Sequence, residues 1–138
     1  MGNGSDERLA RARETAGKLF PPSSVSIPRF KVPAEIEADW RSLSVTTVLG
    51  DVWSRPGLEM KYRSMITIAA LTALQRLEQL RAYIQGGLNV GLTRTEVCEI
   101  ILHMCVYAGF PAAIEGFRIA NEVFEELDRA SGQPVGTQ

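Results

Sequence analysis

The chain has 138 residues, 45% of them hydrophobic and 22% charged, close to a soluble globular average, which excludes disorder as its main state. One domain is expected at this length, burying roughly 70% of its unfolded surface. Fifteen Lys and Arg against sixteen Asp and Glu leave a net charge of −1, so no broad basic surface is available for nucleic acid or for an anionic membrane.

Residues 6–19 carry Leu9, Ala12, Ala16 and Leu19 at three- and four-residue spacing, which predicts an amphipathic helix. Phe20-Pro21-Pro22-Ser23-Ser24 ends it, and Pro28 and Pro33 keep residues 20–33 extended as a linker or arm. A second helix spans Ala34 to about Leu49, with Ile36, Trp40, Leu43 and Thr47 on one face. Gly50-Asp51 and Arg55-Pro56-Gly57 then bracket a turn-rich segment that contains Trp53. From Glu59 to Leu74 the apolar stripe is Tyr62, Met65, Ile66, Ala69, Ala70 and Ala73. Residues 77–90 continue with Leu77, Leu80, Ile84 and Leu88, and Gly91 stands where a C′ glycine would close that helix.

Thr93-Arg94-Thr95-Glu96 has the form of a capping box ahead of an apolar run. The helix it opens reaches Ala108 and stops at Gly109, and Pro111 suits the first turn of the next one. That last helix carries Ile114, Phe117, Ile119, Val123, Phe124 and Leu127 before a polar tail. No segment alternates with period two. The fold class expected is all-α, about six helices, with short connections making consecutive helices antiparallel neighbours. The chain divides into a helix and Pro-rich arm over 1–33, a helical core over 34–130 and a tail over 131–138. The opening residues have no apolar signal core, and the apolar run around 66–71 is too short to span a bilayer. A soluble, cytoplasmic protein is expected.

The helix over 93–108 is apolar nearly all round, through Val97, Ile100, Ile101, Leu102, Met104, Cys105 and Val106. Such a helix is expected to be buried, within the domain or against a second subunit. On it Glu99 and His103 lie four residues apart and share a face, with Tyr107 continuing the stripe and Glu96 nearly in line. A carboxylate one turn from an imidazole orients it and selects its tautomer, which prepares a general acid or base. A structural His paired to a Glu is the competing reading. With a single His in the chain, one His and one Glu are too few ligands for a metal.

Cys98 and Cys105 are about 10 Å apart along one helix and cannot pair within it, so both read as small buried hydrophobes. Arg55, in a Pro/Gly turn beside Trp53, and Arg63, inside an apolar run, each call for an anion or a carboxylate. For Arg63 a structural ion pair is the stronger reading. Gly86-Gly87 marks either close helix packing or room for a ligand.

Three runs carry a resemblance. Gly50-Asp51-Val52-Trp53-Ser54-Arg55-Pro56-Gly57-Leu58, then Arg63-Ser64-Met65-Ile66-Thr67-Ile68-Ala69, then Ile101-Leu102-His103 followed by Val106-Tyr107-Ala108-Gly109-Phe110-Pro111-Ala112, resemble in order and spacing the signatures of the 4-carboxymuconolactone decarboxylases. These belong to the alkylhydroperoxidase-D-like superfamily, and the match covers roughly residues 40–127. The resemblance implies an all-helical subunit in a homo-oligomer, a hexamer or trimer, and cofactor-free decarboxylation of a small carboxylated lactone. It further implies His103 as the acid, Glu99 as its orienting partner, and a substrate-binding set of Arg55, Arg63, Tyr83, Trp53 and Tyr107.

Two positions depart from the pattern: Tyr83 stands where a second His is usual, and Gly87 where a Cys often occurs. A phenol is a poor proton shuttle near neutrality, so a relative with a changed ring substrate is the alternative. A non-catalytic ligand-binding oligomer is a further one. The superfamily's peroxidases place C-x-x-C where this chain has Arg76 and Gln79, which argues against thiol-peroxidase chemistry.

Overall fold

The computed structural model describes residues 3–25 and 31–133, so Pro28 of the expected arm and most of the expected tail lie outside the described residues. The helices are α1 (Asn3–Leu19), α2 (Glu37–Val45), α3 (Met60–Leu74), α4 (Leu77–Asn89), α5 (Arg94–Ala108) and α6 (Phe110–Ala130), with a π-helical segment Thr46–Val52 extending α2. No strand occurs among the described residues. None of the described helices is long and apolar enough to cross a membrane.

Several boundaries follow directly from local chemistry. Thr93 Oγ1 accepts from the Glu96 amide at 3.0 Å while Glu96 Oε2 accepts from the Thr93 amide at 2.8 Å, so the capping box opens α5 as expected. Gly91 and Gly109 have φ of 111° and 94°, backbone that glycine adopts without the Cβ clash of other residues, and they terminate α4 and α5. Pro111 sits in the first turn of α6.

The main core gathers Ile68, Leu80, Ile84, Leu92, Val97, Ile101, Ala113, Ile119, Ala120 and Val123 from α3 to α6. Around it α3 packs against α4 and α5, and α6 against α5 and α4. Here one expectation is corrected: α4 and α5 are consecutive yet hardly touch. The connection between them buries Leu92 in the core, which carries the chain across to α3 instead of back along α4. A smaller core joins Ala12 and Leu19 of α1 to Leu49 and Trp53, with Tyr83 packed at the edge of both cores. The α1 approach is close because position 50 is glycine: a Cβ there would stand 2.7 Å from the Arg8 carbonyl oxygen.

Two further expectations are revised. The stripe that α3 buries is Ser64, Ile68 and Thr72, whereas Ile66 and Tyr62 face outward. And α5 is not enclosed by its own chain: only Val97 and Ile101 are buried, while Val106 is 80% and Tyr107 73% exposed. Both helices are apolar on several sides, so hydrophobic spacing alone did not single out the inward face.

Candidate functional site

Facing stripes of α3 and α5 form a groove of about 520 Å³ lined by Met65, Ile66 and Ala69 on one side and by Thr95, Glu96, Glu99, Ile100, His103 and Met104 on the other. The i, i+4 spacing of Thr95, Glu99, His103 and Tyr107 puts these four on one side of α5. His103 lies against Tyr107, ring centroids 5.0 Å apart and tilted by 36°. Glu99 and His103 therefore share a groove, and both are exposed in the single chain. No hydrogen bond joins the two among the described residues.

At the far end of the groove Glu96 is held as a carboxylate. The Thr93 amide, and then Lys61 at 3.3 Å, hold its pKa below the usual carboxylate range. The walls of the groove are largely apolar, with Thr95, the carboxylates of Glu96 and Glu99 and the His103 imidazole as its polar side chains.

The remaining candidates sit elsewhere in the subunit. Trp53 is buried and stacks on Tyr83 at 5.7 Å and 27°, and Phe20 meets the same ring edge-on at 5.6 Å. Burial pushes the Tyr83 phenol above its ordinary value, so at neutral pH it can donate a hydrogen bond but holds its proton. Arg63 donates from Nε to the Leu58 carbonyl at 3.0 Å and from a terminal nitrogen to the Arg55 carbonyl at 3.1 Å, clamping the 55–58 loop. Arg55 itself is exposed beside α1 and lines a different cleft. The structure thus brings His103, Glu99 and Tyr107 together, and gathers Trp53 with Tyr83 and Arg55 with Arg63 in other places.

Sequence reasoning missed the groove's apolar wall. Met65 and Ala69 at i, i+4 were a signal, but they were read as core. The glycine question is answered by packing: a Cβ on Gly86 would meet Phe20 at 3.1 Å, and one on Gly87 would meet Leu92 at 2.8 Å. Both cysteines are free and half-buried, and burial together with Glu99 raises the Cys98 thiol, which disfavours the thiolate that redox chemistry requires. No group of three or more potential metal-ligating side chains occurs among the described residues.

The groove thus presents a carboxylate and an imidazole beside apolar walls in an all-α subunit. The chain belongs to the carboxymuconolactone decarboxylase family, whose profile matches residues 41–122. It is similar to a 4-carboxymuconolactone decarboxylase of Acinetobacter baylyi, 41% identical over 93 residues, 67% of this chain and 69% of that protein. A nitrosuccinic acid decarboxylase, npaB, of Metarhizium robertsii is 33% identical over 78 residues, covering 56% of this chain and 54% of the relative. An uncharacterized 15.0 kDa protein in the nqo9-nqo10 intergenic region of Paracoccus denitrificans is 30% identical across 90% of this chain and 88% of its own length.

Proposed function

We propose that this protein is a carboxy-lyase that decarboxylates a small carboxylated lactone, such as 4-carboxymuconolactone, without a cofactor. The observation that carries the reading is the shared groove of His103 and Glu99 within a family whose named relatives are decarboxylases. In the reaction the bond to the departing carboxylate breaks and CO₂ leaves. The electron pair passes through the conjugated lactone, whose carbonyl oxygen gains charge and needs hydrogen-bond donors. His103 then delivers a proton to carbon, with Glu99 holding the imidazole in orientation and Tyr107 packed on its ring. The apolar walls from Met65, Ile66, Ala69, Ile100 and Met104 strip water from the departing carboxylate, so that its charge is better accommodated once spread into the ring.

The groove is open in one chain, and on α5 beyond it and on the first turns of α6 the apolar side chains Leu102, Val106, Tyr107, Phe110 and Ile114 are exposed. A second copy of the chain covers this surface in the working enzyme, closing the groove; the trimer or hexamer implied by the family resemblance is the assembly in view. Apolar exposure on this scale marks an interface.

A second reading, a changed acid substrate on the same groove, is favoured by Tyr83. This phenol is packed between Trp53 and Phe20 and does not replace a proton-shuttling His. The npaB relative, by its name, decarboxylates nitrosuccinic acid, which is no lactone. The test is to supply purified protein with 4-carboxymuconolactone and follow lactone loss together with released CO₂. Turnover in the wild type that drops about 10²- to 10⁴-fold in His103→Ala, at native circular dichroism, supports the first reading. An inert wild type selects the second, and nitrosuccinate and related acids are then the substrates to try.

A further inference from the structure

Glu96, Glu99 and His103 are the ionisable side chains in the lining of the groove, and no Arg or Lys lines it among the described residues. An acid that enters therefore meets carboxylates and needs a cation within reach. Among the described residues the ion pair that reaches the lining is Lys61 with Glu96, at 3.3 Å. Lys61 stands one turn before Met65 on α3, and Met65 one turn before Ala69, so the three share the side of α3 that faces the groove. The α3 wall thus ends in a cation where the α5 wall ends in a carboxylate.

Two contacts hold Lys61 at this end. Its stem passes Gly91, where an added Cβ would stand 4.0 Å from Lys61 Cδ, and its ammonium faces Glu96 Oε1. The helix cap is complete without it, since Glu96 Oε2 accepts from the Thr93 amide at 2.8 Å and Thr93 Oγ1 from the Glu96 amide at 3.0 Å. An ammonium has three donors, and its 3.3 Å contact with Glu96 is longer than the roughly 2.8 Å of a tight ammonium–carboxylate bond. Donors remain for a ligand. Glu96 and His103 are separated by about 10 Å along the α5 axis. A contact of about 3 Å at each end leaves about 4 Å between them, the span from a carboxylate to a carbon a few bonds away. The geometry points to Lys61 as the specificity residue of the groove: its ammonium binds a carboxylate that the substrate keeps, while the carboxylate that leaves lies over the apolar wall between Lys61 and His103. This rests on the decarboxylase reading of the groove and deepens it, because it asks for acids with a second carboxylate near the carbon that His103 protonates. The retained carboxylate keeps its charge throughout, so Lys61 holds ground state and transition state equally and sets KM, not kcat.

His103 is the one His of the chain, so its imidazole resonance reports on the groove without any turnover. Titration with succinate, a diacid with no electron sink for losing CO₂, is expected to move the His103 Cε1–H resonance saturably. Lys61→Met is expected to weaken that binding about tenfold or more, at native circular dichroism, and Lys61→Arg to recover part of it. Butyrate, with the same carbon chain and one carboxylate, is expected to bind much more weakly than succinate. With 4-carboxymuconolactone, Lys61→Met is expected to raise KM by a similar factor and leave kcat nearly unchanged. A shift that does not saturate, that survives Lys61→Met or that butyrate matches would overturn the proposal, as would a variant that loses kcat at unchanged KM. A wild type that binds succinate through Lys61 and leaves the lactone untouched would uphold Lys61 and count against the lactone alone.

Discussion

Ser64 is fully buried on α3, and its hydroxyl has no hydrogen-bond partner among the described residues. On the same helix Thr67 and Thr72 each donate to a carbonyl one turn back, at 2.8 Å. An unsatisfied buried hydroxyl costs about 1–3 kcal/mol, and Ala is the better helix former. Ser64→Ala is therefore expected to raise stability by about 1 kcal/mol, read as a higher urea midpoint at unchanged slope; a lowered midpoint would show that the hydroxyl does something useful there. Gly87 is the opposite case. Although Ala would favour the helix, its Cβ would lie 2.8 Å from Leu92 and 3.3 Å from Ile68, and overpacking of this kind costs about 1–3 kcal/mol. The same crowding opposes a Cys at this position. At the site, the shared face of Glu99 and His103 was legible because helical periodicity dictates which side chains lie side by side. Arg63 was not, since nothing in its neighbours along the chain announces that it will clamp two carbonyls of the preceding loop.

The docking of α1 depends on one glycine and one carboxylate. Arg8 Nε donates to both oxygens of Asp51, at 2.9 and 3.2 Å, and this bond holds the Asp51 carboxyl below the usual carboxylate range. Arg94 does the same to Asp128 across α5 and α6, and the Thr93 amide and Lys61 do so to Glu96. A carboxyl whose pKa is lowered by folding contributes its full stabilisation above the unfolded value and loses it as pH falls through the folded one. Stability is expected to be flat above about pH 5 and to decline below about pH 4. All three groups are partly exposed at the surface, Asp128 least of them, and solvent screens their partners, so each contribution is small and shrinks with salt. Asp51→Asn should remove part of the acid decline, seen as a smaller loss of urea midpoint between neutral and acidic pH. Gly50→Ala should act at any pH, because backbone atoms of α1 cannot yield as a side chain would. A loss of about 1–3 kcal/mol is expected, with early proteolysis of α1 as its signature. The inward faces of α1 and α4 were readable from spacing, since each has a polar side to set against an apolar one. The face of α3 was not, because Met65, Ile66, Ala69 and Ile68 ring the helix almost evenly.

Across the whole molecule the unbalanced feature is the apolar surface around α5 and the start of α6, where Val106 is 80% and Phe110 71% exposed. If a second copy covers it, Val106→Glu should yield a smaller species by light scattering, with helix content retained, and turnover should fall together with the assembly. An unchanged mass would place the contact elsewhere, for instance on the exposed Trp40 and Leu43 of α2. All-α architecture, the helix limits set by the Thr93 cap and the Gly91 and Gly109 stops, and the family itself could be read from the chain alone. These features rest on residues close in sequence, where dihedral preference and hydrogen-bonding geometry act over a turn or two. Tertiary structure alone decided that α5 crosses to α3, that Tyr83 is sealed between Trp53 and Phe20, and that Arg55 faces a cleft of its own. Each of those depends on which distant surfaces close over one another, and burial of an apolar helix is indifferent to direction until its partners are in place.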